Sequence, residues 1–297
     1  MSRVASISGP QRYGIVRVCE EWGFARSTLY AGRARALSVA AAGKRGPKTA
    51  FSDATLLGHI RAVLQASPFL GEGHRKVWAR LRHAGIRAGK PRILRVMREH
   101  GLLAPYRQVR RLGPRAHDGT ITTAAPDLMW GTDATGTYTL EEGYVTVFVA
   151  VDHCNSEAVG LHAAKRGTRF EALEPLRQGI RRHFGRFAQD CAQGLSLRHD
   201  HGSQYMSAAF QAEIAFLGMQ SSPSFVRAPE GNGVAERFIR TLKEQLLWVH
   251  TYRTVAELNA ALQAWLITYN ASWLIERHGY RTPAQVRCAL LATKAAA

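Results

Sequence analysis

Beyond residue 126 the chain changes texture, and that change restricts its fold more than any other feature. Leu128–Tyr138, Tyr144–Val151 and Ala158–Ala163 are short β-type runs joined by tight turns such as Glu142-Gly143. Helical spacing follows over Thr168–Phe184, then a short strand over Leu195–His199, a helix over Ser203–Phe216 and a strand over Gly218–Ser221. Gly233–Val249 and Val255–Tyr269 complete the series as helices. The order β-β-β-α-β-α-β-α predicts an α/β class: one mixed sheet flanked by helices.

The preceding residues read as all-α modules. Tyr13–Glu21, the turn Trp22-Gly23-Phe24 and a helix from Arg26 give a helix-turn-helix layout. In that layout Arg26, Ser27, Thr28 and Tyr30 are placed to reach base edges, although a plain helical hairpin has the same pattern. A second block holds helices over Ala54–Ala66, Arg75–His83 and from Pro91 to His100, with Gly85 and Gly101 as stops. Ala40–Thr49 and Tyr106–Pro126 have linker composition. The expected organisation is a helix-turn-helix-like segment over 1–45, a basic helical module over 46–112, a linker over 113–126, a core over 127–288 and a tail over 289–297.

Charge separates the two halves. The net charge is +18, and residues 1–125 hold 23 Lys/Arg against 6 Asp/Glu while residues 126–297 hold 17 against 16. A basic module of this kind implies a polyanionic partner, because each Lys or Arg beside a phosphate releases condensed counterions. Arg75, Lys76, Lys90, Arg92 and Arg95 are the candidate phosphate contacts, with a solvated charged face as the alternative. The four cysteines form no C-x-x-C pair, so neither a zinc knuckle nor a redox motif is supported. No apolar run reaches the roughly 18 residues of a membrane span, and Met1–Gly14 lacks the apolar centre of a secretory signal. The expectation is a cytoplasmic, nucleoid-associated protein with no membrane partner.

Seven Asp occur in the chain, which shortens the search for chemistry. Asp133 lies inside the first strand run, where burying an acid is costly without a partner or a metal. Asp200 ends the fourth strand, before Gly202 and a possible helix cap at Ser203. Glu236 lies in the opening turn of the long helix, with 35 residues between it and Asp200; no other Asp has a Glu at that offset. On that helix Glu236, Arg240 and Lys243 share one face, and Val234, Phe238, Ile239, Leu242 and Leu246 another. The stripe reads as an acid aimed at a metal with two cations along a phosphate, or as an exposed salt-bridge stripe. Asp152 and His153 read as a turn, and His201 as a turn-stabilising group.

Several runs occur together: Trp130-Gly131-Thr132-Asp133, Asp200-His201-Gly202-Ser203-Gln204-Tyr205, Asn232-Gly233 with Glu236 and Lys243, Tyr269-Asn270, and Gly279-Tyr280-Arg281-Thr282-Pro283. In these, from about Gly73 to Arg287, the chain resembles bacterial insertion-sequence transposases with a retroviral-integrase-type catalytic core. In particular it looks like the second-reading-frame product of the frameshifting family. That resemblance implies a ribonuclease-H-like fold and a metal-binding catalytic triad of Asp133, Asp200 and Glu236, with Lys243 on the terminal DNA. It implies two Mg²⁺ ions, with Mn²⁺ as a substitute, and DNA strands cut and joined at insertion-sequence ends, first by water and then by a 3′-hydroxyl. The implied partners are double-stranded DNA, further copies of the chain, and an upstream-frame product as fusion or partner. Ala271–His278 departs from the family pattern, in which an Arg-Pro-His segment is expected. A nuclease that cuts without joining and a helix-turn-helix regulator are the rival readings.

Overall fold

Strand β1, Met129–Thr139, is the hub of a five-stranded sheet in a computed structural model describing residues 7, 9–37, 50–105, 121–224 and 232–296. β2 (Gly143–Asp152) pairs antiparallel with β1, and β3 (Ala158–Ala164) antiparallel with β2. On the other side β4 (Ser196–His199) runs parallel to β1 and β5 (Gln220–Pro223) parallel to β4, giving the order β3-β2-β1-β4-β5. This is the expected ribonuclease-H-like mixed sheet.

Both faces of the sheet are covered, which explains why β2 is apolar almost throughout. Val145, Val147, Val149 and Val151 face helices α9 (Gly233–Leu242) and α10 (Val255–Ser272), against Phe238, Leu242, Leu258 and Leu262. Trp130, Phe148 and Ala150 face α6 (Arg169–Phe184) and α8 (Ala208–Phe216), against Leu173, Leu176, Ile180, Phe210 and Ile214. The β3–α6 approach is so close that a Cβ at Gly160 would come within 2.0 Å of the Pro175 carbonyl oxygen.

The outer edge of β3 lacks a neighbouring strand, and side-chain amides replace one. Asn270 of α10 accepts from Ala158 N at 2.9 Å and donates to Ala158 O at 2.9 Å. Gln178 of α6 does the same at Leu161, at 3.1 and 3.0 Å, and Asn259 of α10 at Ala163, at 2.8 Å both ways. Each amide presents a donor and an acceptor as a strand would, and closes an edge otherwise open to pairing.

Several elements differ from the sequence expectation. The helix expected over Ser203–Phe216 is two, α7 (Ser203–Met206) and α8, because Ser207 is extended and its Oγ accepts from Phe210 N. Gly202, not Ser203, is the N-cap of α7. The helix expected over Gly233–Val249 is α-helical only to Leu242, and Lys243–Leu247 form a π turn. A helix α11 (Pro283–Ala296) runs through the residues expected as a tail, whose last member, Ala297, lies outside the described residues. Trp22, in the turn between the first two helices, and Trp248 are 70% and 69% exposed.

The contacts divide the chain into residues 1–52 and 53–297. In the first unit α1 (Ile15–Glu21) and α2 (Arg26–Leu37) flank the expected turn, with Cys19 as the buried side chain of the pair. The second unit contains the sheet together with α3 (Asp53–Ala66), α4 (His74–His83) and α5 (Lys90–Glu99). Leu56, Ile60, Val77, Leu81, Ile93, Val96 and Met97 are the buried residues where these three helices pack. The expected linkers over Ala40–Thr49 and, up to residue 120, over 106–126 lie outside the described residues. Among the described residues no helix is long and apolar enough to cross a membrane.

Candidate active site

Parallel pairing of β1 with β4 brings two acids to one level. The register matches Gly131 with Arg198; two residues further along each chain come Asp133 and Asp200. Asp133 is half-buried, and its Oδ1 accepts from Ala134 N at 2.8 Å. Asp200, beyond the strand end, is exposed; its Oδ1 accepts from Gly202 N at 2.8 Å, an Asx turn that directs the chain into α7. His199 beneath it is fully buried, its ring nitrogens bonded to Asp200 O at 2.7 Å and Ser221 Oγ at 2.9 Å. Burial lowers its pKa, so the ring is a neutral support.

Glu236 lies on the exposed side of the first turn of α9. Asn232, the N-cap residue of that helix, donates from Nδ2 to Thr132 O at 3.0 Å within a buried pocket. The start of the Glu236 helix is thereby fastened to the residue before Asp133. The fastening needs Gly131: a Cβ there would stand 2.7 Å from Asn232 Oδ1 and 2.6 Å from His153 Nε2. Gly131 and Asn232 stood in the matched runs without a role of their own, and His153 read as part of a turn, since the contacts of Asn232 span about a hundred residues of chain.

Electrostatics tie the acids together. The Asp133 carboxyl is raised from 3.8 to about 6, first by burial and then by the charges of Asp200 and Glu236, against the Ala134 N–H and the Lys243 charge. Tyr205 of α7 belongs to the same neighbourhood: its hydroxyl is fully buried and pushed upward, first by burial and then by the Asp133 charge, with Asp200 adding. Among the described residues no three His, Cys, Asp or Glu side chains stand together closely enough to hold a metal ion as they are arranged. The donor chemistry nevertheless fits a hard divalent cation: carboxylate oxygens gathered where their mutual repulsion is felt, two of them on exposed side chains.

The predicted cations fall into different places. Lys243 opens the π turn, within electrostatic reach of Asp133. Arg240 bonds Glu244 Oε1 at 3.1 Å, one turn along the helix. In the α3–α5 block, Arg75 pairs with Glu276, Arg92 and Arg95 with Asp53, and the amines of Lys76 and Lys90 lie over the Trp273 and Trp78 rings. Arg26, Ser27 and Thr28 open α2 in the first unit, exposed. Asp152 accepts from the backbone N–H groups of Asp127, Cys154 and Asn155, so it organises a turn as the sequence suggested. The divergent segment clamps the same turn: Arg277 donates to His153 O, Cys154 O and Ser156 Oγ.

Comparison with known proteins finds two family matches and several relatives. An HTH-like domain family matches residues 52–110, and an integrase core domain family matches residues 217–283. The transposase InsD for insertion element IS2A/D/F/H/I/K of Escherichia coli is 28% identical over 211 residues, covering 69% of this chain and 68% of that protein. The InsD transposase for insertion element IS2-9 of strain K12 is also 28% identical, with 67% of its length covered. Among solved structures, a simian T-cell lymphotropic virus intasome in complex with the PP2A regulatory subunit B56 gamma matches at TM-score 0.46 and 23% identity, over 80% of this chain and 74% of that one. The catalytic core domain of BIV integrase matches at TM-score 0.42 and 22% identity, over 57% and 98%.

Proposed function

We propose that this homologue of the InsD transposases, with its integrase-type core and HTH-like domain, cuts DNA at the ends of an insertion sequence and joins those ends to new DNA. The observation that carries the reading is the half-buried Asp133 carboxyl, raised first by burial and then by the charges of Asp200 and Glu236, with Lys243 opposing. Three acids that repel one another around a half-buried position form a site that a divalent cation would stabilise.

Asp133, Asp200 and Glu236 would hold Mg²⁺ or, as a substitute, Mn²⁺, two ions in all. When bound, such ions activate the attacking oxygen and neutralise charge on the phosphate and the leaving oxygen. The chain's own residues do the positioning. Asn232 holds the Glu236 helix to the Asp133 strand, and the Asx turn at Asp200 aims that side chain away from its strand. Lys243 supplies a cation at the start of the π turn that follows the Glu236 helix and is the proposed contact to the terminal phosphate. Water is the first nucleophile and the freed 3′-hydroxyl the second, so no covalent protein intermediate is required. Double-stranded DNA is the proposed substrate, and assembly with further copies of the chain or an upstream-frame product belongs to the same reading.

The test uses labelled duplexes cut from the DNA flanking the gene. The unaltered chain is expected to nick and join them when Mg²⁺ is supplied, and Asp200→Asn to bind them without doing either. Strand joining by Asp200→Asn, or joining in excess chelator, would overturn the proposal; cutting without joining would indicate a nuclease.

A further inference from the structure

A cleft of about 420 Å³ opens on the side of α9 that carries Val234, Arg237, Phe238 and Thr241. Arg237 and Thr241 of α9, Ser156, Arg277, Lys76 of α4 and Trp273 are among the residues that line it. The HTH-like module and the integrase-type core therefore both contribute to it.

Among the described residues Arg237 and Arg277 make no ion pair with a carboxylate. The bonds of Arg277 go to neutral acceptors: His153 O at 3.2 Å, Cys154 O at 3.0 Å, Ser156 Oγ at 2.7 Å and His278 Nε2 at 3.1 Å. His278 is held down to about 4 by burial and by the Arg277 and Arg281 charges, so its ring is neutral. Glu276 also borders the cleft, but Arg75 holds both its oxygens at 3.0 Å. Desolvation first, then the Arg237 charge, lowers the Arg277 pKa, so the two guanidinium groups repel each other across the opening. The Lys76 amine, 2.8 Å from the centre of the Trp273 ring, adds a third cation. An anion seated between them would relieve the repulsion and accept charge-assisted hydrogen bonds from both guanidinium groups.

We infer that this cleft is a phosphate-binding site for the backbone of duplex DNA, separate from the acid cluster, with Arg237, Arg277 and Lys76 as its cations. The inference rests on the proposed action on DNA and adds a contact neither the family matches nor the acid cluster assigns. On α9, Glu236 and Arg237 are neighbours pointing about 100° apart. A duplex held at Arg237 thus passes alongside Glu236 without competing for it.

Binding of the full chain to a labelled duplex of about 30 base pairs, in chelator and over a range of KCl, tests this. Each phosphate contact removed lowers the slope of log affinity against log salt by about 1. Arg237→Gln is expected to flatten the slope by about that amount and to weaken binding about 3- to 10-fold near 0.1 M salt. Arg237→Lys should keep the slope, Thr241→Glu should weaken binding by adding an acid to the cleft, and Glu236→Gln should leave the slope unchanged. A packing role for Arg237 would not move the slope. If Arg237→Gln and Thr241→Glu keep the slope and affinity of a chain that still joins strands, the cleft is not a DNA site and the proposed function stands. If the unaltered chain binds no duplex at any salt, the proposed function falls and the inference with it.

Discussion

Holding Asp133 charged costs the folded chain stability. Its carboxyl titrates near 6 in the fold against an ordinary value of 3.8, so between those pH values the folded state carries a proton that the unfolded chain has lost. This contribution favours the fold in acid and is withdrawn as pH rises through 6. Asp133→Asn is therefore expected to raise Tm at pH 7.5, with the gain shrinking toward pH 4.5, while strand joining is abolished. A lower Tm at pH 7.5, measured by calorimetry without metal, would contradict the burial argument. Gly131→Ala acts through position instead. Its Cβ would stand 2.7 Å from Asn232 Oδ1, so the Asn232 amide must give way and loosen the tie that holds the start of α9, and Glu236 with it, to β1. Displacements near 1 Å commonly cost about 100-fold in rate, and a strand-joining rate of that order below the unaltered chain is expected while duplex binding persists. An undiminished rate would show that the Asn232 contact does not hold Glu236 in place.

At the scale of elements, periodicity exposed the strands and most helices, because apolar alternation and helical spacing are local signals. It did not expose the break at Ser207, where one hydroxyl caps a helix that apolar spacing alone would continue. Nor did it expose the π turn, whose start at Lys243 ends the regular 100° spacing counted from Glu236. The site shows the same division. Asp133, Asp200 and Glu236 were legible as acids at a strand, a strand end and a helix start; Asn232, Gly131 and Tyr205 gain their meaning only from residues far away in sequence. The β3 edge is a further case, since Gln178, Asn259 and Asn270 read as ordinary polar helix residues until the strand beside them is known. Asn270→Leu leaves a buried N–H and C=O at Ala158 without partners, and a loss of about 2–3 kcal/mol is expected in denaturant unfolding. A loss under about 0.5 kcal/mol would mean that the amide does not serve as a strand.

At the scale of the whole molecule, charge and chemistry occupy different stretches of chain. Residues 1–125 carry 23 of the 40 Lys/Arg, whereas the acid cluster lies after residue 126. Residues 1–52 form their own contact unit, so removing them is expected to leave the second unit folded. Duplex affinity should then fall and its salt slope flatten, because several cations leave at once, while metal-dependent cutting of DNA survives at higher protein concentration. An unchanged slope would assign duplex binding to the second unit alone. Anomalous diffraction from crystals of the full chain grown with Mn²⁺ and duplex tests the central claim most directly. The account predicts manganese peaks bound by carboxylate oxygens of Asp133, Asp200 and Glu236 beside a backbone phosphate. Ordered carboxylates that stay apart, with manganese bound elsewhere or absent, would contradict it.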